Sequence, residues 1–335
     1  MIGYAEFEAT LGETLVLTQV ARYQDEALGI VDERMHIFFP DCHLLNRSDA
    51  AQYPNYHFVQ DKLFLTTAQT LQRLTTGHEE DVRYYHLGDL FDLWRASLGS
   101  GNAEKVTAIR ADFQTATKLL REQRPFGLDA IVLAGNHDFD LRDLSGWKSP
   151  RYVLLDSTAP GGTTRLLLHG DVFDGIELLP EWLKEFGVRL AKSHKGEAVD
   201  LDAGRALKPD PGMTTADRQG RAPVKRLGAA GTHGPAGPRF NVSGPEGHEF
   251  FQSARTLVEE LGKQGLDIRL VVIGHTHHAR LAVGARATGK PFVLMDCGAW
   301  LGDCVLPGTA NPVPSSQIGV ARGNDLRIYQ VMAKT

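Results

Sequence analysis

The chain is short of cysteine, of long apolar runs and of surplus positive charge, and each shortage closes a class of protein. Cys42, Cys297 and Cys304 are the only cysteines in 335 residues. That is too few for a disulfide framework and points to a reducing compartment. No apolar stretch approaches the roughly 20 residues that a membrane-spanning helix needs. The opening stretch, MIGYAEFEATLGETL, carries early glutamates and no basic start, so it does not read as a signal peptide. These features read as a cytoplasmic protein, with peripheral contact at the inner membrane left open. The formal net charge is -5, so an extended nucleic-acid-binding surface is not favoured.

What is present is a strand–helix alternation. Short apolar runs at Met35–Phe39, Val82–Leu87, Ala130–Ala134, Tyr152–Leu155, Arg165–Leu168, Arg269–Ile273, Pro291–Met295 and Leu326–Val331 read as buried strands. Helical spacing links Val59, Leu63, Leu71 and Leu74. It also links Val106, Ile109, Phe113 and Leu120, and then Phe250, Ala254, Leu257 and Leu261. The alternation predicts a layered α/β domain. Residues 1–33 read as an N-terminal extension to a domain spanning 34–335. Within that domain, 175–250 reads as a cap or insertion, and its stretch 193–247 is rich in Gly, Pro, Ala and Arg without periodicity. Leu179, Trp182, Leu183, Phe186 and Leu190 form an apolar helical stripe, suited to packing on the domain or to capping a site. The basic residues Arg218, Arg221, Lys225 and Arg226 read as a solvated face, with contact to an anionic lipid surface as the alternative.

Chemistry-bearing residues follow five of the strands. Asp41-Cys42-His43 offers an acid and an imidazole two residues apart, although a loop Asp is more often a turn residue. Gly88-Asp89-Leu90-Phe91-Asp92-Leu93-Trp94 offers a carboxylate that can bridge two cations, one oxygen to each; either Asp could instead cap a helix. Gly135-Asn136-His137-Asp138 supplies a neutral amide oxygen and a histidine with an adjacent carboxylate. Such a pair suits a proton donor and its orienting partner. His169-Gly170-Asp171 and Gly274-His275-Thr276-His277 complete the set. Each motif alone is weak, but five of them at strand ends place ligand types where open α/β sheets gather them.

In that order the motifs resemble those of the calcineurin-like metallophosphoesterase superfamily, from about Met35 to about Asp303. The resemblance implies a four-layer α/β/β/α sandwich with a helical, loop-rich cap insertion. It implies that Asp41, His43 and His277 bind one metal ion, that Asn136, His169 and His275 bind a second, and that Asp89 bridges them. His137 would be the acid at the leaving group, supported by Asp138. The implied reaction is in-line attack on phosphorus by a hydroxide shared between two divalent ions. Mixed Asp, Asn and His donors suit borderline ions such as manganese, iron, zinc or cobalt without singling one out, and manganese is the ion expected.

GDLFDLW differs from the GDxVDRG form of protein phosphatases and resembles the UDP-2,3-diacylglucosamine hydrolase branch, which cleaves a lipid-linked pyrophosphate. WLGDC at Trp300–Cys304 agrees with that branch, whereas His137 stands where the branch usually has Arg. The expected partner is thus a phosphoester or pyrophosphate substrate. A phosphomonoesterase, a nuclease or a non-catalytic metal-binding scaffold are the alternatives. Arg95 is a candidate phosphate contact. Trp94 and Trp300 read as core or pocket wall, and His278, His194, His233 and His248 are assigned no metal.

Overall fold

The computed structural model describes residues 1–51, 61–97, 101–113, 124–155, 163–173, 180–198, 242–304 and 313–334. Most of the 193–247 stretch, the basic residues between 218 and 226, His233, Val59, Leu120 and Leu179 lie outside the described residues.

Two six-stranded sheets organise the molecule. The first runs β1 (Leu15–Gln24), β14 (Asp325–Ala333), β13 (Gln317–Arg322), β2 (Met35–Phe39), β3 (Val82–His86), β4 (Ala130–Val132). The second runs β5 (Tyr152–Leu155), β6 (Thr163–Leu168), β8 (Asp267–Ile273), β10 (Pro291–Cys297), β9 (Ala279–Ala285), β7 (Val242–Ser243). A small ladder pairs β11 (Gly302–Cys304) with β12 (Val313–Ser315). The centre of each sheet is parallel, with β2, β3 and β4 in one and β6, β8 and β10 in the other. The described α-helices are α1 (Tyr4–Gly12), α2 (Arg47–Ala50), α3 (Asp61–Thr75), α4 (Asn102–Asp112), α5 (Pro180–His194) and α6 (Phe251–Lys263), with short 3-10 turns between elements.

Strand alternation sorts side chains into three apolar layers. On β2, Met35, Ile37 and Phe39 face outward onto Phe64, Ala68 and Leu71 of α3. Phe38 faces inward with Tyr85, Leu133, Leu167, Leu270 and Val293, filling the space between the sheets. On the far side Leu166 and Leu168 meet Leu183, Phe186 and Leu190 of α5 and Ala254, Leu257 and Leu261 of α6. Helices therefore flank both sheets, as the metallophosphoesterase fold requires. The apolar stripe of α5 is used in this packing.

The expected strands are present with shifted ends, and six more accompany them: β1, β7, β9, β11, β12 and β13. β1 lies at the edge of the first sheet, antiparallel to β14 from Leu15↔Ala333 to Gln24↔Asp325. Among the described residues no helix is long and apolar enough to cross a membrane.

Candidate active site

Five of the six central parallel strands end in the five motifs, so their loops meet at one edge of the sandwich. The backbone there is bent sharply. His43, Asp89, His275 and His277 have positive φ, at 47°, 50°, 75° and 61°. Residues with a Cβ pay a conformational cost in this region, and such outliers gather where the surroundings hold a functional geometry. Two glycines permit the close approach. A Cβ on Gly135 would collide with the Asp89 carboxylate, and one on Gly274 with that of Asp41.

The bends bring donor atoms together in three groups, each able to hold a metal ion: Asp41, His43 and His277; His43, Asp89 and His137; Asp89, His169 and His275. Within each group the ligand atoms lie within 4.8 Å of one another. His277 Nε2 is 3.2 Å from Asp41 Oδ2 and 3.2 Å from His43 Nε2. On the other side His169 Nε2 is 3.0 Å from Asn136 Oδ1 and 3.1 Å from His275 Nδ1. Asp89 joins the halves through one oxygen. Its Oδ2 lies 3.5 Å from His43 Nε2 and 3.2 Å from His169 Nε2, while Oδ1 accepts the His137 N–H at 2.8 Å. Oδ2 is thus the Asp89 oxygen near histidines of both halves.

These donors fit cations. Asp41 Oδ2 is buried with no hydrogen bond of its own, and its Oδ1 accepts the His275 N–H at 2.9 Å. His169 Nδ1 sits 2.9 Å from the Leu87 carbonyl, a contact that requires Nδ1–H as donor and leaves the Nε2 lone pair for the cluster. Asp41, Asp89 and Asp92 are all essentially inaccessible. Their burial would raise each carboxyl pKa, but the surrounding histidines outweigh it and hold all three ionised well below the usual range. In return, although burial alone would lower it, His43 is pushed up to about 10 by Asp41, Asp92 and Asp89. His169 is raised in the same way, chiefly by Asp89 and Asp41 against burial. Buried negative charge requires positive charge beside it, which divalent ions held by these donors would supply in place of the imidazolium protons.

The carboxylate beside the His137 ring is that of Asp92, not that of Asp138. His137 Nδ1 lies 2.9 Å from Asp92 Oδ1. Asp138 instead accepts backbone N–H groups from Gly135 at 2.8 Å, Leu90 at 2.8 Å, Phe91 at 3.2 Å and Asp89 at 3.3 Å. It ties the second motif to the third, because that turn is lined with donors and Asp138 is the nearest acceptor. Burial, with the Asp89 charge, raises its pKa to about 7. The place of Asp92 in the constellation is what the sequence reading missed. Its only signal was its position three residues after Asp89.

Arg95, the candidate phosphate contact, pairs with Asp92 at 2.5 Å. Trp94 is half-buried and stacks on His137, whereas Trp300 is fully buried beside Phe64 and donates its indole N–H to the Gln317 carbonyl at 2.6 Å. His278 and His194 are exposed. His248 is buried 3.3 Å from Asp296, apart from the three donor groups.

A family model described as calcineurin-like phosphoesterase matches residues 37–279. With its fold and its clustered Asp and His donors, the chain belongs to the calcineurin-like phosphoesterase family and is a metal-dependent phosphoester hydrolase. Two solved structures are similar at 10% identity and TM-score 0.34, a level that carries no argument about activity. One is a dimetal phosphatase from Danio rerio, with 91% of this chain and 100% of that one covered. The other is the NAD nucleotidase of Haemophilus influenzae, where 94% of this chain spans 50% of that one. A comparison with curated proteins finds no match.

Proposed function

We propose that Asp41, His43 and His277 hold one divalent ion, that Asn136, His169 and His275 hold a second, and that Asp89 bridges the two. The observation that carries this reading is Asp89 Oδ2, which lies between His43 and His169 and so belongs to both halves of the site. Divalent ions bound there supply a nucleophile from water at neutral pH and neutralise the phosphoryl oxygens. Mixed oxygen and nitrogen donors accommodate manganese, iron, zinc or cobalt, and manganese is the ion proposed.

The chain's own residues then supply position and a proton. Asp92 accepts the Nδ1–H of His137 and favours its imidazolium form, whose Nε2–H is the proton left for the substrate. From there His137 gives a proton to the departing oxygen. The backbone N–H groups of His137 and His275 hold the Oδ1 atoms of Asp89 and Asp41, so neither carboxylate rotates away.

The substrate proposed is a phosphodiester or pyrophosphate, with UDP-2,3-diacylglucosamine as the specific candidate. What supports it is the likeness of Gly88–Trp94 to that branch. His137 in place of the usual Arg marks a departure, and the described part of the α5 stripe packs against the second sheet. The cytoplasmic location and any peripheral membrane contact belong to this same proposal. The test is direct. The manganese-loaded enzyme is given the lipid nucleotide, and separately p-nitrophenyl phosphate and bis-p-nitrophenyl phosphate. Release of UMP with a lipid monophosphate supports the candidate. Turnover of the monoester alone establishes a phosphomonoesterase instead.

A further inference from the structure

The second motif forms a short turn whose geometry reaches beyond metal binding. Asp92 caps it, accepting the Arg95 N–H at 3.1 Å, and Ala96 N–H bonds the Asp92 carbonyl at 3.2 Å. The Leu93 N–H donates to the His137 carbonyl at 3.2 Å, and Lys105 Nζ holds the Leu93 carbonyl at 2.8 Å. This turn is thus fastened to the His137 backbone from one side and to α4 from the other. It presents two successive contacts to one imidazole. Asp92 meets the ring in its plane at Nδ1, and the Trp94 indole covers its face, with centroids 4.2 Å apart and planes 28° from parallel. His43 meets the same ring at 87°, with centroids 4.6 Å apart.

An imidazole held by one hydrogen bond still swings about that bond, because the bond constrains distance and direction but not roll. A ring stacked on its face removes the roll. We propose that Trp94 is a positioning residue for His137, keeping Nε2 aimed at the leaving group. The proposal rests on His137 acting as the proton donor. Trp94 is half-buried, which leaves the core intact when it is replaced.

The test uses the manganese-loaded full chain and a series of aryl and alkyl phosphodiesters of graded leaving-group pKa, with Trp94→Ala, Trp94→Phe and His137→Ala. Loss of aim matters most where the proton is needed most. Trp94→Ala is expected to lower kcat about 10-fold or more for the poorest leaving groups, with KM little changed. Its loss with activated aryl esters is much smaller. Trp94→Phe, which keeps a stacking face, restores most of the rate, and both variants keep their metal content. In the zinc-loaded protein, the His137 ring protons lose their indole ring-current shift in Trp94→Ala and retain a shift of the same sense in Trp94→Phe. An equal loss across the whole series, or one seen only in KM, overturns the role of Trp94. If His137→Ala is itself indifferent to the leaving group, the proton-donor reading fails. If His137→Ala is steeply dependent while Trp94→Ala is flat, only the Trp94 proposal fails.

Discussion

Asp92 Oδ1 meets His137 Nδ1 at 2.9 Å across 45 residues of chain, and this contact joins the second motif to the third. The same carboxylate pairs with Arg95 and lies 3.6 Å from His43 Nδ1. One buried anion therefore contacts the proposed proton donor and lies near a proposed metal ligand.

Replacing Asp92 with Asn keeps the shape and removes the charge that favours the His137 imidazolium. At saturating manganese, Asp92→Asn is expected to retain its metals and lose turnover on the order of 10²-fold with a poor leaving group. Metal analysis beside steady-state kinetics checks this. Full activity would remove Asp92 from the proton path.

Asp89 has a different signature, because its Oδ2 faces both halves of the site. Asp89→Asn is expected to lower metal content and turnover together. Elemental analysis after gel filtration is the measurement, and a variant with full metal occupancy refutes the bridge.

Asp138 acts on the fold. Its carboxylate accepts N–H groups from Gly135, Asp89, Leu90 and Phe91, and it is fully buried. Asp138→Ala leaves these donors unpaired at a cost on the order of 3 kcal/mol. Urea unfolding reads the loss. A stability equal to the parent's contradicts the assignment.

Far from the motifs, His36 on β2 is buried between the sheets. It faces Asp32 at 2.8 Å, stacks on Tyr85, and has Arg34 and Arg165 nearby. Burial lowers its pKa from 6.5 to about 4, with Arg165 and Arg34 adding to burial and Asp32 opposing it. The folded state thus resists protonation while the unfolded chain accepts it. The contribution to stability is complete above pH 6.5 and is lost as pH falls from 6.5 toward about 4. Its slope approaches roughly 1.4 kcal/mol per pH unit in that window. Chemical denaturation across the window is expected to show a shallower decline in His36→Gln than in the parent. Parallel profiles contradict the prediction.

Much of this was legible in the sequence, for physical reasons that differ by element. β2 and β8 are central parallel strands buried at nearly every position, so MHIFF and the LVVI end of β8 read as near-continuous apolar runs. β1 is an edge strand whose LVLTQVARYQ mixes exposed polar positions with buried ones, and it yields no such run. β9 and β13 interrupt their apolar residues with Gly284 and Gly319, where Phe251 and the Cys297 thiol lie close. The donors Asp41, Asp89, Asn136, His169 and His275 were readable because each follows a strand within a few residues. The Asp92–His137 pair was not, since spacing along the chain carries no information about a contact between two loops. Asp138 is next to His137 in sequence, yet its carboxylate turns to the backbone of another loop.

The most direct measurement is hydrolysis of bis-p-nitrophenyl phosphate by the chelated protein as manganese is added back, with bound metal counted in parallel. The account predicts that activity is absent without metal and returns as two equivalents bind. A chain that binds no metal, or one that hydrolyses the ester equally well after chelation, contradicts it.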